Sequence, residues 1–172
     1  MKWAIAVTIP TMAKTTSLFT LGYEGMTLEA FIARLRQVGV HTVIDVRELP
    51  LSRKKGFSKR AFAEALHREG IAYAHMPALG CPKTIRDAYR SDGNWQGYTR
   101  GFTSYLATQG AAVAEVAKIA RATSICLVCF EADFNYCHRS MVARAAARAG
   151  GPGVVHLTAR TAIPEVLAKV AA

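Results

Sequence analysis

The chain has 172 residues, 51% of them apolar and 20% charged, which excludes a disordered polymer and a disulfide-stapled miniature and suits one domain with its own core. The formal net charge is +10, from 22 Lys and Arg against 12 Asp and Glu, a balance that favours polyanionic partners and speaks to association rather than to fold. No apolar run approaches membrane-spanning length, so no membrane partner is expected, and the four cysteines read as the reduced thiols of a cytoplasmic protein rather than as a disulfide framework.

Met1-Lys2 followed by Trp3–Pro10 imitates a short signal peptide, but the apolar run is brief and a single basic residue leads it. Residues 1–16 are therefore expected as an arm or an extra strand, and residues 17–172 as a single α/β domain. Leu18–Leu21 is a short apolar strand ending in the turn Gly22-Tyr23-Glu24-Gly25. Thr27 can cap a helix that carries Leu28, Phe31, Ile32 and Leu35 at helical spacing and stops at Gly39. Thr42–Val46 is a β-branched strand, and residues 47–57 form a basic loop. Ser58 is expected to cap a second helix, built on Phe62 and Leu66 and ended by Gly70. Ile71–His75 is a third strand, and residues 76–96, with Pro77, Gly80, Pro82 and Gly93, are expected to be irregular. A third helix should run from about Tyr98 to Arg121, with a break near Gly110. Ser124–Phe130 is apolar almost throughout, as a strand covered on both faces must be. Cys137–Ala149 is the next helix, Val154–Leu157 the last strand, and Ile163–Val170 a last helix. This alternation predicts a three-layer α/β/α fold around a mostly parallel central sheet of about five strands. Ligands of such sheets bind beyond the carboxyl ends of the strands, where Tyr23, Glu24, Asp45, Arg47, His75 and the segment Glu131–Arg139 would collect.

The segment from Cys126 to Ser140 invites several templates. Residues three apart in a strand point to opposite faces, so Cys126 and Cys129 cannot chelate one zinc ion, nor act as a redox pair, if Ser124–Phe130 is a strand. The phosphatase-type Cys-x5-Arg loop is missing, because Ala132, Asn135 and Ala143 stand six residues after the three cysteines. Cys129 and Glu131 share one strand face. Cys137-His138-Arg139 opens a helix, whose free N–H groups attract anions and lower a thiol's pKa, and Arg139 adds a bidentate donor. The plainer alternative makes Cys137 a small core residue and pairs Arg139 with Glu131 or Asp45. In the second constellation, Asp45 and Arg47 lie on one face at a strand end, and Ser52, Arg53 and Gly56 suit a loop that wraps a phosphate. Lys54 and Lys55 read as solvated, and Phe57 as a staple on the helix that follows.

Four ordered strings resemble the family known as domain of unknown function 488. They are Thr20-Leu-Gly-Tyr-Glu-Gly25, then Asp45-Val-Arg47 with Pro50, Ser52-Arg53 and Gly56-Phe57-Ser58. The others are Tyr73-x-His75-x-Pro77-x-Leu79-Gly80, and Cys129-x-Glu131 with Cys137-His138-Arg139. The resemblance runs from about Leu18 to Leu157 and implies an α/β domain of the prokaryotic cytoplasm. It leaves residues 1–16 outside, as an added arm or as sequence upstream of an alternative start at Met12.

These residues define an anion-binding cleft on two readings. In the first, an enzyme acts on a phosphate-bearing nucleotide or nucleic-acid substrate. Tyr23, Glu24, Arg47, Ser52, Arg53, His75 and Arg139 bind it, Asp45 or Glu131 serves as general acid or base, His75 or His138 relays protons, and Cys137 is the nucleophile. In the second, the protein binds nucleic acid or nucleotide without catalysis, and its affinity falls steeply with salt. A third reading makes Asp45, Glu131 and the arginines a structural ion network. No Walker loop and no G-x-G-x-x-G is present, so no nucleotide cofactor is predicted. No metal-ligand set is predicted either, although Asp45 and Glu131 would suit Mg²⁺ beside a phosphate.

Overall fold

The computed structural model describes residues 16–166. The expected N-terminal arm, and the end of the expected last helix, lie outside the described residues. The apolar run becomes β4 (Ile125–Cys129), buried along its whole length at the middle of the sheet. It pairs with β2 (Thr42–Asp45) on one side and β1 (Leu18–Gly22) on the other. With β3 (Ala72–His75), β5 (Val154–Leu157) and β6 (Ala162–Pro164), the six-stranded order is β3-β2-β4-β1-β5-β6. The first five strands run parallel, and β6 is antiparallel to β5.

Strand parity divides the core in two. Helices α1 (Leu28–Gln37) and α2 (Lys59–Arg68) set Phe31, Leu35, Phe62 and Leu66 against Phe19, Leu21, Val43, Cys126 and Val128. On the other face, α4 (Trp95–Ala107), α5 (Gly110–Ala122) and α6 (His138–Arg148) set Phe102, Val116, Ala117 and Val142 against Leu18, Ile44, Ile125 and Leu127. The three layers are those that the alternating pattern predicts. Thr27 caps α1 through its hydroxyl, which accepts from the Ala30 amide at 3.2 Å. Ser58 occupies the expected position before α2, but its side chain makes no capping hydrogen bond.

Three elements differ from expectation. Residues 76–96 are not irregular: they hold a 3₁₀ turn at Pro77–Leu79 and α3 (Lys83–Asp92). This helix buries no residue fully, and its apolar positions, Ile85, Ala88 and Tyr89, are few and stand between Pro82 and Gly93, which read as breaks. It begins after Pro82, ends at left-handed Gly93 (φ 64°), and leans on the core through Ile85 and Tyr89. The expected long helix starts three residues earlier, at Trp95, because Asn94 caps it by accepting from the Gly97 amide at 2.9 Å, and its break falls at Gly110, where one was expected. The start of the expected last helix is instead β6, a sixth strand on the β5 edge. Pro164 is tolerated there because an edge strand need not donate every N–H.

The crossover through α1 carries the chain from β1 toward β2, and that through α6 carries it from β4 toward β5, the opposite way. The adjacent carboxyl ends of β1 and β4 therefore mark the topological switch point. The segment after β4 crosses this point. The Tyr23 and Glu24 amides donate to the carbonyls of Cys129 (3.2 Å) and Phe130 (2.8 Å). Gly22 makes the crossing feasible, since a Cβ at that position would sit 1.7 Å from the Glu131 carbonyl oxygen.

Candidate functional site

Register decides which polar residues meet. Asp45 pairs with Val128, so Asp45 faces α1 and α2, while Cys129, one residue further, faces α4 and α6. Asp45 is 0% exposed and chelates Arg47, which donates from Nε to Oδ1 (2.8 Å) and from Nη2 to Oδ2 (2.5 Å). Nη1 of Arg47 donates to the Tyr23 hydroxyl (3.0 Å) and the Phe57 carbonyl (2.8 Å). The Tyr73 hydroxyl donates to Asp45 Oδ2 at 2.7 Å. Burial first, and the Asp45 charge second, push the Tyr73 hydroxyl well above its ordinary pKa. Tyr23 stacks on Phe57 with centroids 4.3 Å apart, and His75 Nε2 lies 2.9 Å from the Arg47 carbonyl. Every side-chain nitrogen of Arg47 is thus engaged by the chain's own acceptors.

Arg139 is engaged elsewhere through both terminal nitrogens, while its buried Nε has no hydrogen-bond partner among the described residues. It is 0% exposed and donates from Nη1 to the Glu131 carbonyl (2.6 Å) and from Nη2 to the Ala132 carbonyl (3.2 Å). Glu24 holds the same segment from outside, accepting from the Ala132 amide at 2.9 Å. Arg47 and Arg139 therefore do not converge on one anion as the sequence reading expects. One locks a strand end on the α1–α2 face, and the other, with Glu24, fixes the loop after β4. Asp45, expected beside Glu131 as a Mg²⁺ ligand, has both carboxylate oxygens taken by Arg47 and Tyr73. In the basic loop, Ser52 Oγ accepts from the Lys54 amide, Lys54 Nζ reaches the Tyr23 carbonyl at 3.2 Å, and Arg53 is exposed.

The loop held by Arg139 and Glu24 delivers Glu131 to two sulfurs. Cys129 Sγ and Cys137 Sγ each lie 3.1 Å from Glu131 Oε2. His138 Nδ1 stands 3.7 Å from Cys129 Sγ, and its Nε2 lies 2.8 Å from the Val46 carbonyl oxygen. A carbonyl can only accept, so Nε2 carries a proton, and in the neutral imidazole the lone pair is on Nδ1, facing Cys129. Among the described residues, Cys129, Cys137 and His138 form one group whose ligand-type atoms all lie within 4.8 Å of one another. Cys126 faces the opposite core, as strand alternation requires.

The electrostatics follow from the crowding. Burial alone would raise the Cys137 thiol, but contact with Cys129, the His138 imidazole and the Arg139 charge outweigh it and hold Cys137 well below its ordinary value. Its negative charge and burial push Cys129 well above. Burial, then the Cys137 charge, raise Glu131. His138 would be lowered by burial, yet Cys137 raises it overall. The four groups thus share protons in one cluster: the thiolate form of Cys137 is favoured, while Cys129, Glu131 and His138 are each shifted toward their protonated forms. Such a set can move a proton, attack an electrophile or ligate a soft metal.

The mouth of the centre is aromatic, which the sequence reading missed. Tyr98 lies against the Cys81 thiol and senses the charge of Cys137 and Cys129. Trp95 stacks on Tyr98 at 4.7 Å and meets Tyr136 at 5.3 Å. Tyr136 is 56% exposed and immediately precedes Cys137. Cys129 was visible in sequence only as the residue sharing a strand face with Glu131. Nothing in the spacing announced Tyr98 or Trp95, which come from an element read as starting later or as loop.

No curated protein and no solved structure matches this chain, and no helix among the described residues is long and apolar enough to cross a membrane. The family model described as "Domain of unknown function DUF488" matches residues 27–146, a span that includes β2, β4, Cys129, Glu131, Cys137 and His138. The chain belongs to the DUF488 family.

Proposed function

We propose that the protein is a cytoplasmic enzyme whose reacting centre is Cys129–Glu131–Cys137–His138, and that its substrate is a phosphate-bearing nucleotide or nucleic-acid component. The observation that carries this reading is the convergence of two sulfurs on one carboxylate oxygen beside an imidazole of fixed tautomer. A purely structural core does not need ionisable groups gathered this way at the switch point of a parallel sheet. Glu131 is the partly exposed member, while Cys129, Cys137 and His138 are buried behind it. An incoming substrate therefore meets the carboxyl group first, and Glu131 is the general acid or base. Oε1 receives no hydrogen bond from a neighbouring described residue, which leaves it to exchange a proton with substrate. Cys137 supplies the electron-rich atom behind it, and His138 holds the sulfurs in place.

Two features support the substrate class. Tyr136 and Trp95 offer ring faces beside the centre on which a nucleobase can stack. The net charge of +10 and exposed Arg53, Lys55, Lys59 and Arg60 favour a polyanion. Asp45 and Arg47 are positioning residues here, since each is committed to the other.

The test is turnover of a panel of nucleoside mono-, di- and triphosphates and short oligonucleotides, read by chromatography and mass of the products. Product should form with the unaltered protein and fall by about 100-fold or more in Glu131→Gln. Salt-sensitive binding without turnover, unchanged in Glu131→Gln and Cys137→Ser, would instead establish a non-catalytic nucleic-acid binder.

A further inference from the structure

We infer that Cys129 Sγ, Cys137 Sγ and His138 Nδ1 form a three-ligand binding site for one zinc ion, with Glu131 beside the fourth position. Four observations support this site. First, the donors come from two elements that the sheet brings together, the β4 end and the start of α6, and their ligand-type atoms span no more than 4.8 Å. Second, the separations are near those of a tetrahedron. With Zn–S of about 2.3 Å and Zn–N or Zn–O of about 2.0–2.1 Å, sulfur-to-nitrogen and sulfur-to-oxygen edges come to about 3.5 Å. The edges here are 3.7 Å from Cys129 Sγ to His138 Nδ1 and 3.1 Å from each sulfur to Glu131 Oε2. Cys129 Sγ and His138 Nδ1 are within a few tenths of an ångström of their edge, and Glu131, outside the set of atoms within 4.8 Å of one another, stands by the fourth position.

Third, the imidazole already has an outer-shell partner. Metal-ligating histidines donate their second N–H to a carbonyl or carboxylate, which fixes the tautomer that ligates. The Val46 carbonyl does this for Nε2, leaving Nδ1 free. Fourth, the donor softness selects the ion. Two thiolates and an imidazole suit Zn²⁺ and disfavour Mg²⁺ and Ca²⁺, which take oxygen donors. Loading replaces the protons now shared among the sulfurs and carboxyl by the ion and releases them to solvent, with no change in oxidation state.

The site uses the same atoms as the proposed reacting centre but does not depend on turnover. The two readings therefore fail separately. Zinc bound by a protein inert toward the nucleotide panel keeps the site and removes the enzyme. Turnover undiminished in reduced, metal-stripped protein that takes up no zinc does the reverse.

The experiment loads the reduced full chain with Zn²⁺, and in parallel with Co²⁺ as a spectroscopic probe. Expected are one tightly held ion per chain by elemental analysis, thiolate-to-cobalt charge-transfer absorption, and zinc-edge X-ray absorption showing two sulfur scatterers with two nitrogen or oxygen scatterers. Outer-shell partners alone carry about 10–100-fold in affinity, so Cys137→Ser and His138→Gln should each weaken binding by more than about 100-fold, while Cys126→Ala leaves it unchanged. The absorption measurements use the unaltered protein and stand even if a variant fails to fold. A folded, reduced chain that holds no zinc, or zinc bound without two sulfur scatterers, overturns the site.

Discussion

At the residue scale, the polar groups gathered at the carboxyl rim form two networks that differ in kind. Asp45 and Arg47 form a closed ion pair, 0% and 7% exposed, with every strong donor and acceptor satisfied. Removing one partner leaves the other charge buried and unpaired, which costs about 3–5 kcal/mol. Asp45→Asn is thus expected to lower the unfolding free energy measured by urea titration by that amount, whereas replacing both residues with apolar side chains of similar size should recover much of the loss. Equal stability in Asp45→Asn would show that the pair is not what holds the β2 end. The second network, around Glu131, is open: one carboxylate oxygen takes both sulfurs, and the side chain remains partly exposed. The sequence showed Asp45 with Arg47, and Cys129 with Glu131, as same-face pairs by strand periodicity, and both pairs hold. It could not show that the two pairs face opposite sides of the sheet, because that depends on Asp45 aligning with Val128 rather than with Cys129. A slip of one residue would exchange the faces.

At the element scale, the loop after β4 is positioned from three sides. Gly22 lies beneath it, Arg139 holds its carbonyls, and Glu24 holds its Ala132 amide. Gly22→Ala would drive a methyl group into the Glu131 carbonyl, a clash with backbone that cannot be relieved by a side-chain rotation. The expected result is a loss of about 1–3 kcal/mol in chemical denaturation, with the largest amide shifts in NMR at residues 130–137. Shifts confined to β1 would contradict this role. The start of α4 is a smaller matter of the same kind. Asn94 satisfies the Gly97 amide, so Asn94→Ala should cost about 1 kcal/mol, measurable as a lowered thermal midpoint. That cap also explains why α4 starts early enough to place Trp95 at the mouth of the thiol centre. Neither α3 nor the place of Trp95 is legible in residues 76–96, because Pro82 and Gly93, which signal breaks, instead bound a ten-residue helix that buries no side chain fully.

At the scale of the whole molecule, the far edge of the sheet is tied to the centre through His156. This side chain is 1% exposed, hydrogen-bonded to Thr20 Oγ1 and Glu165 Oε2 (both 2.8 Å), and stacked under Phe134 of the loop that leads to Cys137. Burial is the largest influence and lowers the His156 pKa below 6.5, while contacts with Arg144 and His156 lower Glu165 below 4.5 against its own burial. For both groups the unfolded chain holds more protons than the folded one in the affected range. Stability is therefore complete above pH about 6.5 and falls with acidification, first through His156 and then, below about 4.5, through Glu165. Between pH about 7 and 5.5 the native thermal midpoint should fall more than that of His156→Gln, and equal falls would remove this assignment. What the sequence alone determined was the class of fold: apolar strands alternating with amphipathic helices require a parallel sheet with helices on both faces, and the polar residues must then gather at its carboxyl rim. It also determined which neighbours along a strand share a face, since that is set by backbone geometry. Which residues from distant segments meet was decided only by tertiary structure, through the sheet order and a register fixed by packing on both faces. That is why Arg47 and Arg139 hold separate parts of the frame, while Cys129, Glu131, Cys137 and His138 assemble around a point that no local pattern marks.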